Sequence, residues 1–312
     1  MDGKVVSSGP MSTDPQYGAS GQPAPRPGVG AVLKHLAAMG LMVAGLVLTV
    51  WAFLFTSTGQ WIDETALSEV SGALIRYSSP STDLLDALPL ISGILAVLGI
   101  ALVLVRRHRF VPALVGLLMA GGANATTQLL KHSILEKPDL GIQDATMNSL
   151  PSGHTTFAAA AGAALFLAAP KRWRPAMAVL MAALAIITGV ATVINAWHRP
   201  ADVVAALFVV GAWTVLGLLI LRFLPAEARD TASTRHSGML LIPLFVIVGL
   251  FMAFCAGATY VVAANQHFAG AALLGSLCLI GAVGLLTNAV LVGLLRMGRP
   301  ASERAYTKVW TY

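Results

Sequence analysis

Three short segments hold the residues most able to do chemistry. LLKHSILEKPDLG carries Lys131 and Lys137-Pro138, LPSGH carries Pro151 to His154, and WHRPAD carries His198, Arg199 and Asp202. Pro151-Ser152-Gly153-His154 reads as a helix start, because Ser is a good N-cap and glycine lets a ligand approach the backbone closely. Free N–H groups and the helix dipole make such a start an anion site; a plain capped helix would look the same. His198 and Asp202 are spaced i, i+4, and a helix beginning near Pro200 lets them meet. A carboxylate on one imidazole nitrogen fixes the tautomer and leaves the other nitrogen free to attack. The bland alternatives are a structural His–Asp tie at a membrane surface and, for Lys131 and Lys137, long side chains anchoring helix ends.

Taken jointly, the groups suit phosphoryl transfer: cations and N–H groups for the phosphate oxygens, a nucleophile, and an acid for the leaving group. A metal site is not indicated. His154 and His198 could be ligands, but no compact cluster of carboxylates or cysteines accompanies them. Cys255 and Cys278 lie inside apolar runs and read as small core residues rather than a disulfide framework.

The elements that must position these groups are membrane helices. The chain of 312 residues is 56% hydrophobic and only 11% charged, whereas a soluble domain carries about 25% charged residues. Eight apolar stretches lie near the length that crosses a bilayer: 36–55, 88–105, 111–130, 155–169, 176–196, 203–223, 239–263 and 270–295. The fourth is short, so its first turn takes in His154. No long run alternates as a strand would, so the class is an all-α polytopic membrane helix bundle. Residues 1–30, rich in Gly, Pro, Ser and Gln, read as a disordered cytoplasmic tail. No apolar run starts near Met1, so the first span is expected to insert as an uncleaved anchor.

The net charge of +6 does not form one patch, so nucleic acid is not the partner it points to. Arg106, Arg107 and Arg109, then Lys171, Arg172 and Arg174, then Arg222, Arg229 and Arg235, then Arg296, Arg299, Arg304 and Lys308 all fall on the side of the N-terminal tail. The other side holds only Arg76, Lys131, Lys137 and Arg199. The positive-inside rule places both termini in the cytoplasm and segments 56–87, 131–153, 197–202 and 264–269 outside, in a multi-pass cell-membrane protein. All three reactive segments are in the outer set. Segment 56–87 has Ile62, Leu67, Val70, Leu74 and Ile75 spaced for one helical face; it lies in the membrane interface or packs as an outer loop. Asn265, Gln266 and His267 read as ordinary loop residues on the same side.

In order and placement the three segments resemble the motifs of the type 2 phosphatidic acid phosphatase (PAP2) superfamily: Lys131…Lys137-Pro138, Pro151-Ser152-Gly153-His154, and Ala191-Thr192…His198…Asp202. The resemblance covers spans one to six. It implies a six-span core, residues 31–224, followed by a loop at 225–238, a two-span extension at 239–295 and a tail at 296–312. It also implies that His198 is the nucleophile of a phosphohistidine intermediate, that Asp202 orients it, and that His154 protonates the leaving group and then activates water. Ser152, Gly153 and Lys131 would bind phosphate oxygens, and no cofactor or metal is needed. Two of the motifs depart from the family pattern. Lys137 replaces an Arg, giving a point charge for a two-pronged fork. Ala191-Thr192 replaces Ser-Arg, which removes a phosphate-binding cation; Thr192 keeps one hydroxyl donor, and Arg199 beside the nucleophile offers a charge by another route.

The leading expectation is an integral-membrane phosphatase acting on a lipid phosphate or diphosphate, glycerol-based or polyprenyl, at the outer face. The rivals are a phosphotransferase to a lipid or glycan acceptor, a catalytically impaired lipid-binding relative, and a transporter, which nearly charge-free span interiors disfavour. The orientation has a direct check. A cysteine at Ser149 should be labelled from outside intact cells and one at Trp173 should not; the reverse pattern would invert the topology.

Overall fold

A computed structural model describes residues 27–74, 80–107, 109–142, 147–170, 172–224 and 240–296. The readings of residues 1–26, of the loop at 225–238 and of the tail at 297–312 lie outside the described residues, as does Arg76. Every regular element among the described residues is helical. In chain order they are α1 (Val29–Leu54), α2 (Ser57–Leu74), α3 (Pro80–Arg107), α4 (Phe110–Leu129, continued by a π-helical turn Leu130–Ile134), α5 (Gly153–Ala168), α6 (Arg174–Ile194), α7 (Pro200–Phe223), α8 (Leu241–Gln266) and α9 (Ala271–Arg296). Six are long and apolar enough to cross a membrane: α1, α4 with its π turn, α6, α7, α8 and α9. The apolar parts of α3 and α5, Leu90–Val105 and Gly153–Ala168, are shorter. The eight apolar stretches read from the sequence thus include six of full spanning length.

α7 is the centre of the bundle. α1, α4, α5, α6 and α9 all pack on it, and α3 lies against α5 and α6. Its interior residues Val203, Val204, Val209 and Val210 are almost wholly buried. The outer faces are apolar and bare instead: Leu33, Leu48 and Trp51 on α1, Val97 and Leu102 on α3, Ile247, Phe251 and Phe254 on α8 are all exposed. A soluble protein rarely leaves so much apolar surface open, and hydrocarbon is the solvent that suits it. The last two helices are not a detached pair. α8 packs on α9, but α9 also lies against α6 and α7, and Ile280, Leu291 and Val292 enter the same core as Phe166 and Leu167 of α5.

Small residues let the helices around the site approach. α5 reads GHTTFAAAAGAALFLA, and it sits between α4 and α6 with small residues through its middle. A Cβ on Gly116 of α4 would lie 2.8 Å from the Ala164 carbonyl oxygen, and one on Gly162 of α5 would lie 2.9 Å from the Met181 Cα. Close contact of this kind is how membrane helices gain packing energy where lipid offers no hydrophobic drive. At the far end from the reactive segments, Arg109 Nε donates to the Ala168 carbonyl and Arg174 donates to the Ala169 and Leu167 carbonyls. Two cations thus serve the open carbonyls that end α5.

The 57–74 stretch of segment 56–87 is helical. It forms helix α2, whose Gln60, Ile62, Asp63, Ala66 and Val70 are buried among helix ends. Ile62 and Ala66 pack on Ala263, Ala271 and Ala272, where α8 turns into α9. α2 is therefore packed over the turn between α8 and α9, and its buried face includes two polar residues, Gln60 and Asp63, that a purely apolar stripe did not predict.

Because Gly162 faces backbone, its neighbour cannot give way. Gly162→Val should cost about 1–3 kcal/mol of stability. Thermal unfolding of purified protein in detergent reads this directly; an unchanged melting temperature would mean that α5 and α6 can separate freely.

Candidate active site

The three reactive segments meet at one end of the bundle, and backbone bonds tie them together. The Ser152 N–H donates to the Asp202 carbonyl at 2.9 Å, joining the start of α5 to the start of α7. Asn148 joins the same loop to the end of α4: its Nδ2 donates to the Leu150 carbonyl at 2.9 Å and to the Lys131 carbonyl at 3.4 Å. Thr127 and Thr156 hydroxyls pair at 2.9 Å between α4 and α5.

His198 is set by two local devices. α6 ends in a Schellman turn: the Trp197 N–H reaches the Thr192 carbonyl at 3.0 Å and the Ala196 N–H reaches Val193 at 2.9 Å. Ala196 occupies the left-handed position with φ 54°. The turn brings the His198 N–H to the Thr192 carbonyl at 3.2 Å. α7 then starts with Pro200, whose fixed φ and missing N–H suit a first helical position. One turn of helix brings Asp202 back to its predecessors, so that Oδ2 accepts from His198 Nδ1 at 2.9 Å and from the Arg199 N–H at 3.2 Å. With Nδ1 donating, His198 keeps the lone pair on Nε2. His198 is 7% exposed and Asp202 2%, so the pair is largely withdrawn from water.

Facing it is the start of α5. Ser152 is the N-cap, and its Oγ accepts from the Thr155 N–H at 3.3 Å. The Gly153 and His154 N–H groups make no hydrogen bond among the described residues. Gly153 is open, since a Cβ there would meet only Gln128 Nε2 at 3.7 Å. His154 is exposed. Its ring stands 5.8 Å from that of His198, centroid to centroid, at 65° between planes, and 5.1 Å from Trp197.

Lys131 lies in the π turn after α4, where the Leu135 N–H reaches back five residues to the Leu130 carbonyl at 3.0 Å. Such turns recur at functional sites because they re-aim side chains. Its charge is close enough to be felt at His154. Lys137, on the loop beyond, lines a small cleft with Asn148, Asp63, Arg199 and Asp202. Burial lowers the Lys137 ammonium pKa, and the Arg199 charge adds to that.

Two side chains sit otherwise than their sequence positions implied. Thr192 donates its hydroxyl proton to the Gly189 carbonyl at 2.8 Å, so that donor is committed within α6. Arg199 is only 8% exposed, and its Nε and Nη2 both donate to Glu64 Oε2, at 2.9 and 2.7 Å. That partner was not read from the sequence. Neither was Asp63, whose Oδ1 accepts the Ala201 N–H at 2.9 Å. The available signal was the adjacent acid pair in WIDET, isolated between apolar stretches. Gln128 was also missed, although it precedes Lys131 by three residues on one helical face. Among the described residues no group of three or more His, Cys, Asp or Glu side chains is arranged to hold a metal.

A membrane-embedded helical bundle with a buried His–Asp pair opposite a second histidine is the class that fold and site define. Residues 123–225 match the family model of the PAP2 superfamily, a stretch that runs from mid-α4 to just past α7 and contains all three segments. The match is consistent with a PAP2 superfamily member. No curated protein and no solved structure matches the chain.

Asp63 yields a pH prediction. Burial pushes its carboxyl well above the usual carboxylate range, and the Asp202 charge pushes the same way, against the Ala201 N–H and Arg199. A raised folded pKa means that the folded state holds this proton more tightly. Stability from Asp63 is then lost as pH rises from its ordinary value of 3.8 up through the folded pKa. Asp63→Asn keeps the acceptor oxygen but cannot ionise. It should melt higher than wild type at neutral pH, with the difference closing as pH falls toward 4. A difference that is flat with pH would refute the raised pKa.

Proposed function

We propose that the protein is an outward-facing phosphatase of lipid phosphates or diphosphates that works through a phosphohistidine on His198. The observation that carries this reading is the 2.9 Å bond from His198 Nδ1 to Asp202, which leaves Nε2 as the free nucleophilic nitrogen opposite His154.

In the first step Nε2 attacks phosphorus, and the P–O bond to the lipid breaks. The departing oxygen takes a proton from His154. Asp202 stabilises the positive imidazole that results and holds its orientation. In the second step His154, now neutral, removes a proton from water. The hydroxide attacks phosphorus, the P–N bond breaks with its electrons returning to Nε2, and inorganic phosphate leaves. Oxygen charge is met by Lys131, by the Gly153 and His154 amides at the start of α5, and by the cationic side chains Lys137 and Arg199. Ser152 shapes this cradle as the N-cap. Thr192 contributes through its carbonyl, which holds the His198 N–H. These roles require no metal or cofactor.

Several features support a lipid substrate. The exposed Trp197 ring lies 5.1 Å from that of His154, and Phe157, three residues after His154 on α5, is exposed too. On this reading the core is residues 31–224, eight helices cross or enter the bilayer, both termini are cytoplasmic, and α8 and α9 brace α2 over the site.

The test uses purified protein with a panel of lipid phosphates and a soluble short-chain ester. His198→Ala should lose turnover and the acid-labile phosphoenzyme. His154→Ala should be slow, but less so on a substrate with a good leaving group, because acid help matters less there. Wild-type activity should persist in EDTA. Normal hydrolysis by His198→Ala would rule out the phosphohistidine, and a strict need for added divalent metal would point to other chemistry.

A further inference from the structure

Helix α2 lies outside the family match, yet it makes the closest polar contacts to the segment that carries the nucleophile. His198 and Asp202 can bond only if residues 199–201 hold one conformation. Arg199, the N-cap of α7, has no side-chain oxygen with which to serve the open N–H groups of the first turn. Asp63 does so from 138 residues away in sequence, by accepting the Ala201 N–H. Glu64, the next residue, takes two N–H groups of the Arg199 guanidinium on one oxygen. The chain is thus gripped on both sides of Pro200.

The grip is itself anchored. Gln60 Nε2 donates to the Leu54 carbonyl at 2.8 Å and to the Pro138 carbonyl at 3.1 Å, fixing the start of α2 to α1 and to the Lys137 loop. At its other end the Glu69 carboxylate accepts the Gly270 and Leu273 N–H groups, both at 2.8 Å, at the start of α9. Asp63 is 3% exposed and buried beside Asp202, where an unpaired carboxyl would only cost stability. Its place is explained by the bond it makes.

We propose that Asp63 and Glu64 are positioning residues for the His198–Asp202 pair, so that α2 is a strut that sets the geometry of the nucleophile from outside the motif-bearing helices. The inference rests on the phosphatase reading for its kinetic consequence, but not for its structural one. Misplacing a reacting group by about 1 Å can cost a hundredfold in rate while binding is kept. Loss of either carboxylate therefore lowers kcat and leaves KM nearly unchanged.

The experiment compares Asp63→Ala, Asp63→Asn, Glu64→Ala and Glu64→Gln in the purified full chain. It reads kcat and KM on a soluble phosphate ester, together with the rate at which diethyl pyrocarbonate modifies His198, followed by mass spectrometry. The two alanine variants should lose about tenfold to a hundredfold in kcat with KM within about threefold, and His198 should be modified at a changed rate. Asp63→Asn keeps the acceptor oxygen and should retain kcat within about threefold. Glu64→Gln keeps an acceptor but loses the ion pair, and should fall between wild type and Glu64→Ala. Wild-type kcat and labelling in the alanine variants would overturn the proposal. So would an Asp63→Asn defect as deep as that of Asp63→Ala, because the carboxyl would then be needed for its proton. If an alanine variant does not fold, the Asn and Gln variants decide by the same criteria. If the wild-type protein hydrolyses none of the substrates, the phosphatase reading fails, and the labelling rates alone still decide the strut.

Discussion

The bend between α6 and α7 is the constraint on which the site depends. His198 must leave one helix, and Asp202 must enter the next, with only Arg199, Pro200 and Ala201 between them. Pro200 removes one freedom and the Schellman turn at Ala196 removes another. Neither fixes where the first turn of α7 points. That direction comes from across the bundle, from the bonds of Asp63 to Ala201 and of Glu64 to Arg199. A buried ion pair contributes little net stability against well-packed apolar groups, because desolvation offsets most of the attraction. Its value here is geometric: a charged pair has one good arrangement where an apolar contact has several.

The rest of the bundle serves the same end from below. α5 must bring its N-terminus to His198 while running between α4 and α6, so its alanines and Gly162 are a condition of the site as well as of packing. The cations Arg109 and Arg174 close its far end, which leaves the open amides at Gly153 and His154 as the free pole of a short, nearly buried helix. Poor solvation strengthens that pole toward an anion. The π turn after α4 and the Asn148 bridge place Lys131 against it.

The local parts of this arrangement were legible in the sequence. The His198–Asp202 bond follows from four-residue spacing and a proline, and the Ser152 cap from the residue types that precede an apolar run. Hydropathy located the helices, since it reads average composition along a segment. What spacing along one helix cannot reveal is a partner on another. Asp63 and Glu64 lie 138 and 135 positions from the groups they bind. The stripe read on α2 was apolar and did not include the acids beside it. Thr192 differs, because its hydroxyl bonds a carbonyl three residues back on its own helix, a local alternative that its sequence position leaves open. Spatial neighbours of α9 are likewise not given by its place in the sequence. Sequence order separates α9 from α5–α7, but packing puts its Ile280 and Leu291 in their core.

Thr192 stands where the motif that this chain resembles has an arginine. Thr192 lies in the last turn of α6, where helix carbonyls point and the dipole is negative. An arginine there would screen that pole and offer its charge to a phosphate. In this chain the Thr192 carbonyl is instead occupied by the Trp197 and His198 N–H groups, so the pole is quenched by backbone. The lost charge has no direct substitute at that position. Arg199 is nearest in sequence, but Glu64 claims two of its donors and much of its field. Under the proposed function, the dianion must therefore lean on Lys131, Lys137 and the α5 amides, with Arg199 holding the bend more than the phosphate. The site then trades a mobile cation for a rigid nucleophile, and α2 is the element that makes the trade workable.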